Sequence, residues 1–181
     1  GSSNTALGGL ALQNNTTASY NTAVGYKSLY ANTTGTQNVS FGPSSMLTNT
    51  TGGQNTAVGV NSLLLNTTGS YNVALGIQAL NSNTTASNNT AVGYQASFLN
   101  TTGTENTAVG YVSMYSNTTG SYNTAYGRSS LPVNQTGSNN VAVGWGSLNF
   151  TTSSDNTAVG YQAGYSRTGS GNTCVGNYSG R

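Results

Sequence analysis

Side chains that can carry out acid–base chemistry are rare in this chain. Its 181 residues include no histidine, four basic residues and two acidic residues. These are Lys27, Arg128, Arg167, Arg181, Glu105 and Asp155. The two carboxylates lie about three repeat units apart, whereas general acid–base and glycosidase chemistry need both groups at one reaction centre. The sequence therefore predicts a protein that is not an enzyme and has no catalytic residue.

Metal and cofactor sites are not indicated either. A zinc site needs three or four His, Cys or carboxylate ligands, and no cluster in this sequence has that spacing. The only cysteine, Cys174, has no partner for an internal disulfide. It occupies a place where the other repeats carry Ala or Ser, so we expect a small buried residue. The glycines recur with the repeat and form no phosphate loop. We expect no cofactor and no metal.

Asn-X-Thr sequons recur in one register. Their asparagines are Asn15, Asn32, Asn49, Asn66, Asn83, Asn100, Asn117 and Asn134. One interpretation is a column of N-linked glycans. The other is a ladder of Asn and Thr side chains that closes a wide turn. Glycans on neighbouring turns, about 4.8 Å apart, would collide. The ladder is therefore the favoured interpretation, and glycosylation stays the alternative.

Aromatic residues recur in columns. One column contains Tyr26, Tyr94, Tyr111, Trp145 and Tyr161, and another contains Tyr20, Tyr71 and Tyr122. Such columns fit a stripe that contacts a host glycan, and they also fit packing between coils or between chains. Because the columns are interrupted and follow the repeat, packing is favoured and glycan contact through the first column is the alternative.

All these residues belong to one tandem repeat. The phrase Asn-(Thr/Val)-(Ala/Ser/Cys)-(apolar)-Gly begins at Asn4, Asn21, Asn38, Asn55, Asn72, Asn89, Asn106, Asn123, Asn140, Asn156 and Asn172. Every step up to Asn140 has the same length, and the steps after it are shorter by a single residue. A strict period of this kind predicts stacked units. We expect residues 1–181 to form a single repeat domain, with atypical terminal units over 140–181.

Each unit, numbered from its Asn as position 1, predicts short extended segments rather than helix. Gly, Asn and β-branched Thr at fixed places oppose a helix. Unit 2 is expected to form a strand over positions 2 to 4, a bend at Gly25, a second strand through Ser28 and Leu29, and a wide turn at Asn32. Stacked units then form an all-β fold, a β-solenoid of eleven coils of about 17 residues, rising about 4.8 Å per coil.

Three recurring features are expected to hold the coils together. The first is a ladder of position-1 amides along the rod. It comprises Asn21, Asn38, Asn55, Asn72, Asn89, Asn106, Asn123 and Asn140. The second is the Gly at position 5. The third is a pair of buried apolar columns at positions 4 and 9, so that Val92→Asp would bury an unpaired charge and destabilise the rod strongly.

The composition limits the choice of partners. Charged residues make up 3% of the chain, and the net charge is +2. Four scattered basic residues form no polyanion-binding stripe, so we expect no nucleic-acid partner. The longest aliphatic run, Leu63–Leu65, is too short to cross a bilayer, so no membrane insertion is expected within this segment.

The repeat units resemble those of known fibre proteins. Residues 21–26 (Asn-Thr-Ala-Val-Gly-Tyr), with Ser-Leu-Tyr at 28–30 and Asn-Thr-Thr-Gly at 32–35, resemble repeats of bacteriophage tail-fibre-like and bacterial surface fibre proteins. They are also similar to the Ala-Val/Ile-Gly repeats in the heads of trimeric autotransporter adhesins, whose units are shorter than those of this chain. The resemblance covers essentially the whole chain. It implies a homotrimeric β-roll or β-helix that acts as a shaft or a host-contacting head.

The expected function is therefore a non-enzymatic fibre or adhesin module, located extracellularly, on a cell surface or in a virion tail fibre. It would provide reach and attachment to a host or surface, with a host glycan or receptor as partner. Two alternatives stay open. Columns of Thr are typical of ice-binding solenoids, and a strict repeat also fits a self-assembling extracellular filament. Origin from a phage or from a bacterium stays open as well.

Overall fold

The computed structural model describes residues 1–181 and contains eleven short β-strands. These are β1 (Thr5–Leu7), β2 (Thr22–Val24), β3 (Val39–Phe41), β4 (Thr56–Val58), β5 (Val73–Leu75), β6 (Thr90–Val92), β7 (Thr107–Val109), β8 (Thr124–Tyr126), β9 (Val141–Val143), β10 (Thr157–Val159) and β11 (Thr173–Val175). They form one parallel sheet in the order β1 to β11. The all-β solenoid predicted from the period is confirmed.

The register of the sheet follows the repeat. Thr90 of β6 pairs with Thr107 of β7, and Val92 pairs with Val109. The shorter step after Asn140 keeps this alignment, because Thr157 pairs with Val141 across it. Ten steps at the usual strand spacing make a rod about 48 Å long. Equivalent residues therefore lie directly above one another along the rod.

The predicted second strand is wrong, because positions 6 to 11 form a compact turn. Positions 7 and 9 adopt left-handed backbone conformations, with φ of 56° at Lys27 and 51° at Leu29. Their N–H groups still bond neighbouring coils, from Lys27 to the Gly9 carbonyl at 2.9 Å and from Leu29 to the Ser45 carbonyl at 3.0 Å. The stacked turns therefore satisfy the backbone without a second sheet.

The predicted Gly bend is confirmed, and Gly59 shows why no other residue fits. Its φ is 136°, a conformation that strains any residue with a side chain. A Cβ at this position would also lie 2.5 Å from the carbonyl oxygen of Gly76 in the next coil. Position 5 is thus closed to a side chain by its own conformation and by its neighbour.

The core of the rod is a single narrow column. Position 3 (Ala, Ser or Cys), position 8 (Ser or Ala) and position 9 (mainly Leu or Met) point inwards. Its large members are Leu12, Leu29, Met46, Leu63, Leu80, Met114, Leu131 and Leu148. Cys174 is buried at position 3 of the last coil, as expected for a small residue.

The predicted burial of position 4 is wrong. Strands β2 to β11 have a buried central residue between two residues that are half-buried or exposed. Val58 is 39% exposed and Phe41 is 54% exposed. Position 4 therefore lies outside the rod with position 2, and Val92→Asp would not place a charge in the core.

The narrowness of the coil explains which strand face is buried. The Oγ of Ser28 donates to the carbonyl of Ser40 at 3.0 Å, and the Oγ of Ser45 donates to the carbonyl of Ala57 at 3.2 Å. Position 8 thus reaches across the interior to the backbone of the strand. Such a gap admits only a small position-3 side chain, so the larger position-4 residue must face outwards. The structure contains no helix able to span a bilayer.

Candidate functional site: amide ladders, outward files and an aromatic surface

The position-1 asparagines from Asn21 to Asn156 are buried, and they are bonded to the neighbouring coil. The backbone N–H of Asn38 donates to the Oδ1 of Asn21 at 2.9 Å, while the Nδ2 of Asn21 donates across its own coil to the Gly35 carbonyl at 2.9 Å. The same pattern recurs at Asn38, Asn55, Asn72, Asn89, Asn106, Asn123 and Asn140. These amides lie one above another, and each joins a strand to a turn as well as one coil to the next.

A second amide ladder lies at position 12, where the sequon asparagines are stacked. The Nδ2 of Asn83 donates to the Oδ1 of Asn66 at 2.8 Å and to the Ala86 carbonyl at 3.0 Å. Its own Oδ1 accepts from the Nδ2 of Asn100 at 3.0 Å. Side-chain bonds of this type run without a break from Asn15 to Asn134.

The burial of this ladder bears on the glycosylation alternative. The sequon residues from Asn32 to Asn134 are 0% exposed. Their Nδ2 atoms, which would carry a glycan, point into the rod and are engaged in hydrogen bonds. The folded rod therefore does not present these asparagines as glycan acceptors, and their geometry is that of the Asn ladder.

The outward faces of the strands form two continuous files. Position 2 is Thr or Val, and position 4 is a larger apolar residue in every coil. In β8, Thr124 and Tyr126 are both exposed, with Tyr126 at 59%. Neither file contains a charged residue. The sheet thus presents an uncharged, partly apolar stripe along the whole rod.

The predicted glycan-contact residues all lie on the outer surface. Tyr26 is 54% exposed, Tyr94 42%, Tyr111 51%, Trp145 38% and Tyr161 44%. The structure brings four of them into pairs, since Tyr94 stacks on Tyr111 at 5.4 Å and Trp145 stacks on Tyr161 at 4.9 Å between ring centroids. Tyr26 lies apart from these pairs and is approached by Lys27 Nζ, 5.4 Å from its ring.

Sequence reasoning missed a third aromatic column, at position 10. Phe98 stacks on Tyr115 with ring centroids 5.3 Å apart. Near the end of the rod, Phe150 of position 11 meets the position-10 residue Tyr165 edge-on at 5.2 Å. The two residues of each pair are close to one repeat length apart in the sequence. Aligning the units at every position of the repeat would therefore have revealed both pairs.

Charges are segregated around the coil. All four basic side chains occupy positions 6 to 12, at Lys27, Arg128, Arg167 and Arg181. Both carboxylates, Glu105 and Asp155, occupy the last position of their units, just before the next position-1 Asn. Three of the four cations, Lys27, Arg128 and Arg181, lie over rings of the aromatic columns. Neither carboxylate occupies a position of these columns.

One phenol near the end of the rod has a perturbed acidity. Hydrogen bonding with the Tyr178 side chain raises the pKa of Tyr161 above its ordinary value of 10.0. The Tyr161 phenol therefore stays neutral at physiological pH. The rings of Tyr161 and Tyr178 meet edge-on at 5.1 Å.

No enclosed or concave binding site is found on the molecule. No pocket is detected, and no three His, Cys, Asp or Glu side chains lie close enough together to hold a metal ion. The features that can meet a partner are the outward files and the aromatic surface.

Comparison with protein-family models, with curated proteins and with solved structures found no match. The function proposed below is therefore supported by the sequence and by the geometry of the rod.

Proposed function

We propose that the chain is a non-enzymatic structural module of an extracellular, cell-surface or virion fibre. In this proposal three copies form a rod that provides reach and attaches to a host or other surface. The observation that carries it is the outward stripe of positions 2 and 4, which is uncharged and continuous along eleven strands. The buried amide ladders support it, because they fix the length and direction of each chain without a thick hydrophobic core.

The outward stripe supports association with further copies of the chain. Leu7, Phe41 and Tyr126 are all more than half exposed in the single chain. Continuous apolar patches of this kind are uncommon on monomeric proteins and mark interaction surfaces. With no charge in either file, identical stripes meet without repulsion, and three chains with their stripes facing a common axis would cover them.

The experiment that tests this proposal is a mass measurement in solution. We expect light scattering to give three times the chain mass of 18.3 kDa. The variant Val92→Asp/Val109→Asp places two charges on the stripe, so it should be monomeric while retaining its β-type circular dichroism. The matched control Thr102→Asp/Thr119→Asp adds the same charges to exposed position-14 sites of the same two coils and should stay trimeric.

Two other results would contradict the trimeric fibre. A monomeric mass for the unaltered chain would exclude an assembly of three chains around a common axis. A mass that grows continuously with concentration would favour the self-assembling filament. The trimer is supported only if the unaltered chain keeps the trimeric mass on dilution. In addition, the double variant at Val92 and Val109 must be monomeric while the double variant at Thr102 and Thr119 stays trimeric.

Ice binding is a second candidate, favoured by the outward direction of the position-2 threonines. Thr90, Thr107 and Thr124 pair in register on neighbouring strands. They form an array with the regular strand spacing of about 4.8 Å. Bulky Phe41 and Tyr126 beside the array interrupt its flatness, which is why the fibre is preferred. Thermal hysteresis that disappears in Thr107→Lys/Thr124→Lys would establish ice binding, and we expect none.

A further inference from the structure

Six consecutive coils carry an unbroken strip of aromatic and guanidinium side chains on the outside of the rod. The strip, termed here the aromatic–arginine strip, contains Tyr94, Tyr111, Arg128, Trp145, Tyr161 and Tyr178. The first five occupy position 6 of coils 6 to 10, and Tyr178 occupies position 7 of coil 11. In coils 1 to 5 the same column contains Gly9, Tyr26, Pro43, Val60 and Ile77, so no strip forms there.

Direct contacts join members of the strip. Beyond the Tyr94–Tyr111 and Trp145–Tyr161 stacks, the guanidinium carbon of Arg128 lies 5.5 Å from the Tyr111 ring centroid. At the far end, the Arg181 guanidinium carbon lies 5.0 Å from the Tyr178 ring. A cation within about 6 Å of a ring centroid is attracted to the ring face. The strip is therefore an ordered surface that holds cations at its centre and at one end.

The solenoid does not require these aromatic residues for its core. The interior of coils 9 and 10 is filled by Ala142, Leu148, Ala158 and Ala163, which are all 0% exposed. Position 6 accepts Pro43 and Val60 elsewhere, so its aromatic residues in coils 6, 7, 9 and 10 are not a demand of the repeat. Stacking between neighbouring coils accounts for part of this surface. Because the rings are still 38% to 51% exposed, they also present an area that a partner can contact.

The charge distribution determines the sign of that partner. Arg128 and Arg181 lie on or beside the strip, and both carboxylates lie at the last position of their units, away from it. Asp155 also accepts a hydrogen bond from Asn139 Nδ2 at 3.0 Å. An anionic ligand on the strip would thus meet two guanidinium groups and no facing carboxylate.

The stacking geometry determines how a ligand makes contact. Neighbouring rings cover each other's faces, with interplanar angles of 15° for Tyr94–Tyr111 and 13° for Trp145–Tyr161. Ring edges, phenol hydroxyls and guanidinium N–H groups are therefore what the strip offers. These groups suit a ligand with many hydroxyls that carries anions at the spacing of Arg128 and Arg181, three coils apart. Arginine pairs with carboxylates in bidentate geometry.

We propose that the aromatic–arginine strip binds a linear acidic polysaccharide that lies along the rod axis. The inference rests on the attachment role proposed above and names its ligand class. Members of the strip recur at the coil rise of about 4.8 Å, and one sugar ring of an extended polysaccharide advances by a similar length. Successive sugars thus meet successive coils, with carboxylates at Arg128 and Arg181 and sugar hydroxyls at the phenols.

The test measures binding of short alginate oligosaccharides, which are linear uronic acid chains, by calorimetry. Neutral cello-oligosaccharides of the same length serve as the comparison. Arg128→Gln should weaken alginate binding about tenfold, the effect of losing one charge-assisted contact. Trp145→Ala should also weaken it. The matched control Lys27→Gln removes the same charge from coil 2, beside Tyr26 but outside the strip, and should leave the affinity unchanged.

Three results would overturn the proposal. They are no binding of alginate, equal binding of alginate and cello-oligosaccharides, and equal losses of affinity in Arg128→Gln and Lys27→Gln. Duplex DNA is a third probe, and tighter binding of DNA than of alginate with the same dependence on Arg128 would reassign the strip to nucleic acid. Measuring the mass of the same samples distinguishes failure of this proposal from failure of the trimer proposal. A trimer that does not bind alginate refutes only the ligand. A monomer that binds alginate refutes only the trimer.

Discussion

The first eight coils and the last three hold their turns together with different groups. From Asn15 to Asn134, position 12 is always an asparagine that bonds its neighbours in the ladder, and it is buried from Asn32 onward. In coil 9 this place is taken by Thr151, whose Oγ1 donates to the Arg167 carbonyl at 2.7 Å. In coil 10 it is taken by Arg167 itself, whose Nε donates to the Gly180 carbonyl at 2.9 Å. Hydrogen bonding between coils thus persists after the amide ladder ends.

The core column changes one coil later. Leu148 is the last large residue at position 9, and Gly164 and Gly180 follow it. Leu148 fills part of the lost volume, since a Cβ on Gly164 would lie 2.9 Å from its Cδ2. Position 9 has a φ of 49° in Leu80, a strained conformation for leucine that glycine adopts freely. Coils with a leucine at position 9 therefore bury a large side chain at the cost of backbone strain. The last two coils, with glycine at this position, have neither the side chain nor the strain.

The largest expected effect comes from placing a charge in the regular ladder. Asn83→Asp replaces a double donor by a carboxylate that faces the Asn66 Oδ1 and the Ala86 carbonyl. We expect a loss of at least about 3 kcal/mol in unfolding free energy. Urea denaturation measures it. Thr85→Asp adds a carboxylate at an exposed site of the same coil, with uncharged neighbours in its column, and should change stability by less than about 0.5 kcal/mol. Equal effects would show that the ladder is not buried.

Removal of a regular core side chain should have the next largest effect. Leu80→Ala leaves a cavity between Leu63 and the following coils, and we expect a loss of about 3 kcal/mol in unfolding free energy. The matched change Leu65→Ala acts at a position that is 42% exposed and should cost well under half as much. Similar midpoints in urea for both variants would contradict the position-9 column as the core.

A smaller loss of stability is expected from a change at Thr151, which takes the place of the ladder asparagine in coil 9. Thr151→Val keeps the shape of the side chain but leaves the Arg167 carbonyl without its donor, so we expect a loss of about 1 to 2 kcal/mol. Thr152→Val, at the exposed neighbouring residue, is the control. Amide hydrogen exchange in residues 151–181 reports the change locally. A loss as large as that of Asn83→Asp would erase the distinction between the two regions.

The smallest effect should be a gain in stability at the one regular coil that departs from the pattern. Ser97 lies in the Leu/Met column, is 1% exposed, and its Oγ has no hydrogen-bond partner. Ser97→Leu restores the column in a backbone conformation that Leu80 already adopts, and should stabilise the rod by about 1 kcal/mol. Ser97→Ala removes only the unpaired hydroxyl and should be close to neutral. Destabilisation of the leucine variant would show that Leu80 and Met114 already fill the space.

The parts of the fold that were predictable from sequence are those that depend on repetition. The spacing of Asn83 from Asn66 and Asn100 places the three in one column whatever the shape of the coil. Glycine recurs at position 5 of every unit, for example at Gly59, and this indicated a bend with no room for a side chain. Features of the outer surface were less predictable, because contacts such as Tyr161 with Tyr178 join different positions of neighbouring units.

The sequence by itself determined that like residues are stacked over like, since a strict period with in-register strands leaves no other arrangement for residues such as Asn66 and Asn83. Only the tertiary structure decided which side of each strand is the inside. Val92 and Ala91 alternate on any strand, and size alone favours burying the valine. The turn over positions 6 to 11 brings the opposite wall so close that only the alanine fits, and this directs the valine side chains to the outside of the rod.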